Sequence, residues 1–276
     1  AKYNLELLNK YLPIFNGQKI VKIAVDDLTK DNSHLIKFFP NCDTQIVQNN
    51  KETRESEYFI QSIKEIKDRN SITFFAHNKG SKSGDGNEVI KHWLLSMYFF
   101  NLDGMYLKFV ENNLFRDKTF SGIMRITTPC SPWVNSDWHY SGTFFWFNTD
   151  KLFNIDGWDN FTKGRFSVEE YPGKMVTLAN SNYYLCSENY NFNSYQPTIW
   201  AEVLTEKKLG TTQFNKYKNL FSTIFQKYSI IIPTMWKCDR LLTTLKELSE
   251  LNNVSEIILI DNTDKDITID IDKVIH

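Results

Sequence analysis

The stretch YSIIIPTMWKCDRLLTTLKELSELNNVSEIILIDN, residues 228–262, decides the fold class. YSIIIPT and VSEIILIDN are continuous apolar runs, the pattern of strands buried on both faces of a parallel sheet. DRLLTTLKELSEL between them reads as a helix, so the stretch predicts one complete strand–helix–strand unit. In open α/β sheets ligands bind where strand carboxyl ends face a helix start. Thr234 and Asp261 stand at those two ends, and a hydroxyl beside a carboxylate can read the polar edge of a nucleobase. A second stretch, ITFFAHNKGSKSG at 72–84, repeats the device deep inside the preceding region. There an apolar strand delivers His77, Asn78, Lys79 and Gly80 to a polar turn. Glycine permits tight backbone geometry at such a turn, and a lysine can neutralise a diphosphate as a point charge.

Upstream, Leu5, Leu7, Leu8, Tyr11 and Leu12 share one helix face before Pro13. QKIVKIAVDD (18–27) predicts a strand, SHLIKFF a short helix and TQIVQN another strand. KETRESEYFIQSIKEIK predicts a helix carrying Phe59, Ile60, Ile63 and Ile66, and SITFFAH the next strand. Strand and helix thus alternate through the first 80 residues, which predicts a parallel α/β sheet. NEVIKHWLLSMYFFNLDGMYLKFVENNLF (87–115) reads as one long helix or a pair broken near Gly104. FSGIMRITT and YSGTFFWFNTDKLF follow as two strands, separated by a loop with Pro129, Pro132 and Trp133. TTQFNKYKNLFSTIFQK (211–227) reads as a helix joining two domains, 1–225 and 226–276, with the boundary where strand patterning restarts.

With 276 residues and 32.5 kDa the chain can bury a large core. A net charge of −1 offers no basic excess to hold a phosphate backbone, which argues against a nucleic-acid partner. The 15% aromatic content predicts a Phe-rich core, with some Trp and Tyr available to stack on a sugar or base. Cys42, Cys130, Cys186 and Cys238 form no CxxC pair, against a zinc site and in favour of a reducing compartment. No apolar run reaches the roughly 18 to 20 residues that cross a bilayer; KHWLLSMYFFNLDGMYL comes closest but is interrupted by charge. AKYNLELLNKYL shows helical periodicity and no signal-peptide pattern, so the expectation is a soluble cytoplasmic protein without a transmembrane segment. G-x-x-x-x-G-K-[ST], G-x-G-x-x-G, H-E-x-x-H and G-x-S-x-G are all missing.

The YSIIIPT strand, its helix and the strand ending in Asp261-Asn262 resemble the opening of family 2 glycosyltransferases. That resemblance covers about the last 50 residues and implies that Thr234 sits beside the ribose or base while Asp261 accepts a base N–H. The family's D-x-D metal motif and catalytic carboxylate lie further downstream, so this segment is expected to be the truncated start of a domain in a longer, two-transferase polypeptide. The earlier F-x-x-H-x-K-G pattern (74–80), the HW pair His92-Trp93, WHYSGTFFWF (138–147) and EEYPG (169–173) resemble segments of rhamnan-synthesis-type and viral or bacterial glycosyltransferases. This implies a GT-A fold, a Rossmann-like, mixed and mostly parallel sheet flanked by helices, acting on a nucleotide diphosphate sugar donor and a glycan acceptor.

Sugar transfer needs three things. Charge on the leaving diphosphate must be met by a cation, for which His77 and Lys79 are candidates, with a divalent cation (Mn or Mg) undecided. The acidic clusters Asp26–Asp27, Asp85 and Asp103 read more simply as caps and turns. The acceptor hydroxyl needs a base if the reaction inverts; Glu170 or Glu169 is favoured, and His139 is the rival. Both glutamates are expected in an extended segment, so that only one faces the cleft. The sugar needs an aromatic face and close backbone approach. Trp138, Tyr140, Ser141 and Gly142 are the candidates, whereas Trp146 is expected in the core. Arg54, at a helix start, either belongs to an ordinary first turn or reaches the nucleotide. A non-catalytic carbohydrate-binding module is the alternative function.

Overall fold

The structure is a computed structural model that describes residues 2–77, 87–127, 134–184, 200–201, 203–225, 228–234, 240–250, 254–261, 269, 271 and 273–275. The chain divides into two compact units, Ala1–Val203 and Leu204–His276. The division falls before residue 225, so the helix expected to join the domains belongs with the second unit.

The first unit opens with α1 (Lys2–Tyr11), which buries Leu7 and Tyr11 and passes at Pro13 into a single 3-10 turn. β1 (Ile20–Val25) and β2 (Asp43–Gln48) pair in parallel, from Ile20 opposite Asp43 to Val25 opposite Gln48. A 3-10 helix (Arg54–Glu57) and α2 (Phe59–Lys64) lead to β3 (Ile72–Phe75). α3 (Glu88–Leu102) and α4 (Gly104–Arg116) are the broken pair; the break is Asp103, whose extended backbone (φ −81°, ψ 128°) ends the first helix. Asn87 caps α3 by accepting from Ile90 N, and residues 93–102 are buried all round. A helix apolar on every side belongs in a core, and this explains the hydrophobic run that came closest to a membrane span. No helix among the described residues is long and apolar enough to cross a membrane.

β4 (Phe120–Ile123), β5 (Arg125–Thr127), β6 (Trp138–Tyr140) and β7 (Phe145–Asn148) form one bent hairpin. β5 and β6 pair with each other as a ribbon, while β4 and β7 enter a four-stranded sheet ordered β3-β7-β4-β8, with β8 at Ser181–Tyr184. Both strands turn out of the sheet at the same level: Met124 (φ 55°) on one side, Gly142 (φ 108°) and Thr143 (φ 56°) on the other, joined by Ser141 N donating to Met124 O at 3.0 Å. The sheet is mixed and flanked by helices, but not mostly parallel. β7 runs against both β3 and β4, and only β4 and β8 are parallel. The hairpin is the cause, since a direct return makes neighbours antiparallel and a parallel pair needs a long crossover.

α5 (Thr149–Phe153) follows β7 directly, and α6 (Ser167–Met175) packs on β6. Lys151 Nζ bonds Leu114 O (2.7 Å), a carbonyl in the last turn of α4, and Lys118 O just past the helix (3.1 Å). The core gathers Phe59, Phe120, Trp138, Tyr140, Phe145, Phe147 and Tyr171 with Ile63, Leu152 and Val168, so the aromatic content is chiefly packing.

The second unit carries α7 (Glu206–Leu209), α8 (Thr211–Phe225), β9 (Tyr228–Thr234), α9 (Leu241–Ser249), β10 (Val254–Asp261) and β11 (Val274–Ile275). The sheet is parallel throughout, ordered β11-β10-β9, and Pro233 falls on an edge strand, where a missing N–H is tolerated. Leu241 and Leu245 of α9 pack on Val254, Ile257 and Leu259.

Candidate functional site

β3, β4 and β8 end, and β7 begins, at one edge of the four-stranded sheet. His77 lies there, two residues past β3. Its Nδ1 is 3.7 Å from Glu55 Oε2, with the two side chains 13% and 20% exposed. Asn4 Nδ2 donates to His77 O at 3.4 Å, and the imidazole lies 5.7 Å from the Phe144 ring. Phe144 in turn meets Trp93 (5.9 Å) and Tyr98 (5.3 Å) edge-on. Asn78, Lys79 and Gly80 lie outside the described residues, as does Asp85.

The turn before Phe144 is filled by protein. A Cβ on Gly142 would stand 2.5 Å from Trp93 Cζ2 and 2.9 Å from Met97 Cε, and φ is positive there. Glycine at 142 therefore admits an indole and not, as expected, a substrate. Ser141 beside it is half-buried.

Glu169 and Glu170 sit in the first turn of α6, not in an extended segment; acidic residues suit a helix amino end. Their 100° separation sends them to opposite ends of one stretch of chain. Glu169 Oε1 accepts from Gly142 N (3.1 Å), and Glu170 Oε1 accepts from Asn135 N (3.0 Å) while Oε2 meets Lys174 Nζ. The rest of EEYPG completes the lock. Tyr171 OH donates to Trp158 O at 2.6 Å, and Gly173 brings α6 so close to β6 that a Cβ would stand 1.8 Å from Trp138 O.

Trp138 answers from the strand with Nε1 donating to Val176 O (2.9 Å), and Tyr140 OH donates to Asn182 O. Both rings are buried, 1% and 0% exposed, so neither offers a face to a sugar; alternation on β6 points them into the core. Trp146, expected in the core, is buried and donates to Asn101 O at 3.0 Å. His139 is buried, its Nδ1 has no hydrogen-bond partner among the described residues, and burial pushes its pKa down to about 4 against the opposing pull of Glu170. A neutral ring enclosed in this way is poorly placed to reach an acceptor. Arg54 is exposed, in the left-handed region at φ 53°.

Asp27 accepts from Thr29 N and Oγ1 (2.9 and 2.6 Å), and Asp26 from Asn49 Nδ2 (2.7 Å), so both serve turns. Among the described residues no group of three or more His, Cys, Asp or Glu side chains is placed to hold a metal ion. In the second unit Thr234 and Asp261 stand opposite each other in register at the carboxyl ends of β9 and β10.

The edge thus collects His77, Glu55, Trp93, the Gly142 turn and Glu169. Sequence reasoning missed Glu55, whose only signal was an acid beside Arg54 at a helix start. Comparison of the chain with protein-family models, with curated proteins and with solved structures returns no match.

Proposed function

We propose that the chain is a glycosyltransferase of the GT-A type, moving a hexose or deoxyhexose from a nucleotide diphosphate sugar to a hydroxyl of a glycan or other acceptor. One observation carries the reading. Segments separated by up to about a hundred residues (His77 after β3, Trp93 on α3, the Gly142 turn and Glu169 on α6) meet at the edge where three strands end. Carboxyl ends of strands are where α/β folds bind ligands. In this reading His77 and Lys79 stabilise charge on the departing diphosphate. Glu169, half-buried beside the turn, is the base candidate that geometry favours, because Glu170 and His139 are buried in the α6–β6 packing. The second unit is the nucleotide-binding opening of another such domain, a reading supported by parallel β9 and β10 and by Thr234 opposite Asp261.

The test is a hydrolysis screen of UDP-, GDP- and dTDP-sugars with and without manganese, repeated on Lys79→Ala and Glu169→Gln. A positioned base and a charge-stabilising cation each contribute roughly 100-fold or more, so both variants should lose about that much. Full activity in both would refute the site. A protein that hydrolyses no donor, and whose melting temperature no nucleoside diphosphate raises, would be the binding module instead.

A further inference from the structure

Within the proposed donor site, on which this inference rests, we infer that Glu55 is a positioning residue that orients the His77 imidazole and holds it in its charged form against the diphosphate. Three observations lead there. The first is the pairing itself. Glu55 Oε2 stands 3.7 Å from His77 Nδ1, with the two side chains 20% and 13% exposed and His77 Nε2 itself buried. An opposite charge at this range favours imidazolium, and a carboxylate facing one ring nitrogen fixes the ring's orientation.

The second is contrast within one short helix. Glu57 is consumed by structure: it receives Lys163 Nζ and Thr53 Oγ1, each at 2.6 Å, and Asn50 Nδ2 at 3.0 Å. Ser56 is likewise tied, donating to Thr53 O (2.6 Å) and accepting from Gly164 N (3.1 Å). Those ties make the 3-10 helix a fixed platform, and from it Glu55 reaches to the end of a strand. The third is strain. Arg54, with a side chain that left-handed backbone disfavours, is held at φ 53° with its N donating to Asn50 O at 2.8 Å. Such strained conformations gather at functional sites. Here the kink starts the helix whose next residue is Glu55.

The imidazole also lies 5.7 Å from the Phe144 ring, and Asn4 Nδ2 donates to the His77 carbonyl.

The experiment joins a spectroscopic and a binding readout. Side-chain 15N resonances of His77 are recorded across pH in the wild type and in Glu55→Gln, with melting temperatures as a control for folding. UDP- and GDP-sugar affinities are measured for Glu55→Gln, His77→Ala and the double variant. The expected result is a fall of about one unit or more in the His77 pKa with altered ring-nitrogen shifts. Affinity should drop roughly tenfold in Glu55→Gln, with no further loss when the same change is made in His77→Ala. Unchanged His77 resonances, or a full additional loss in the double variant, would overturn the inference. A wild type that binds no sugar nucleotide refutes the transferase reading and with it the positioning role, while the resonances still report whether the pair exists.

Discussion

Replacing Gly173 by Ala probes the packing that organises the candidate site. The new Cβ would stand 1.8 Å from Trp138 O and 2.8 Å from Trp138 C, where real contacts stay above 3.0 Å. Helix and strand must therefore separate by about 1.2 Å. Overpacking of this kind costs about 1–3 kcal/mol. The separation also stretches Trp138 Nε1–Val176 O (2.9 Å) and Glu170 Oε1–Asn135 N (3.0 Å), each worth about 1 kcal/mol. Alanine gains about 1 kcal/mol from its helix propensity and the stiffer unfolded chain. The collision wins, leaving a net loss of about 2–4 kcal/mol. For a unit of roughly 200 residues each kcal/mol moves the midpoint about 2–4 °C, so a fall of roughly 4–16 °C is expected. Thermal and urea unfolding followed by tryptophan fluorescence reads it directly, because Trp93 and Trp138 are buried. Gly104→Ala is the control: its Cβ meets nothing within 4 Å, and it should be neutral or slightly stabilising. A Gly173→Ala protein within about 0.5 kcal/mol of wild type would mean that α6 and β6 do not touch as described.

Glu170→Ala strands the Asn135 N–H and Lys174, and should lower the urea midpoint by the equivalent of about 1–3 kcal/mol. Gly142→Ala should be similarly costly, and Trp93→Phe should restore only part of the loss, because removing the indole leaves the Met97 Cε contact at 2.9 Å and the positive φ; full rescue would contradict the geometry. His139 gives a pH dependence. Its folded pKa, about 4, lies below the ordinary 6.5, so above pH 6.5 the ring is neutral in both states and contributes no slope. As pH falls from 6.5 to 4 the unfolded chain takes up a proton that the folded one refuses, and stability declines by about 3 kcal/mol in all. His139→Asn should flatten that decline between urea titrations at pH 7 and pH 4.5, and equal slopes would refute the burial argument. Lys151→Ala should cost about 1 kcal/mol and speed amide exchange in the last turn of α4, where Leu114 O loses its cation.

Periodicity revealed the elements because it reports burial directly. The ten buried residues of α3, the break at Asp103 and the β9–α9–β10 unit all follow from where apolar residues fall. Strand direction within the first unit did not follow. Alternation of strand and helix over the first 80 residues suggests a parallel sheet, and β1 with β2 obeys it. β3 instead pairs with β7, whose antiparallel course is set by a hairpin bent at Met124 and Gly142 some seventy residues downstream. No local pattern records a pairing at that distance, and a kink carried by Met124 leaves no glycine signature on the β4 side.

The site shows the same division more sharply. WHYSG and EEYPG stand out in the sequence as short polar–aromatic motifs, and such motifs invite assignment to a ligand. Yet most of their members touch one another. Trp138, Tyr140, Gly142, Glu170, Tyr171 and Gly173 each satisfy a backbone group or fill a gap between α6, β6 and the turn. A buried backbone amide needs a partner as strictly as a substrate does, so a carboxylate at a helix start is as valuable to a turn as to catalysis. What separates the two uses is exposure, which residue type alone does not encode. By that measure the rim of the edge belongs to Glu169, His77 and Glu55. Chemistry that depended on Trp138 or His139 would first require α6 to lift from β6, and Gly173 is the position where that requirement can be measured.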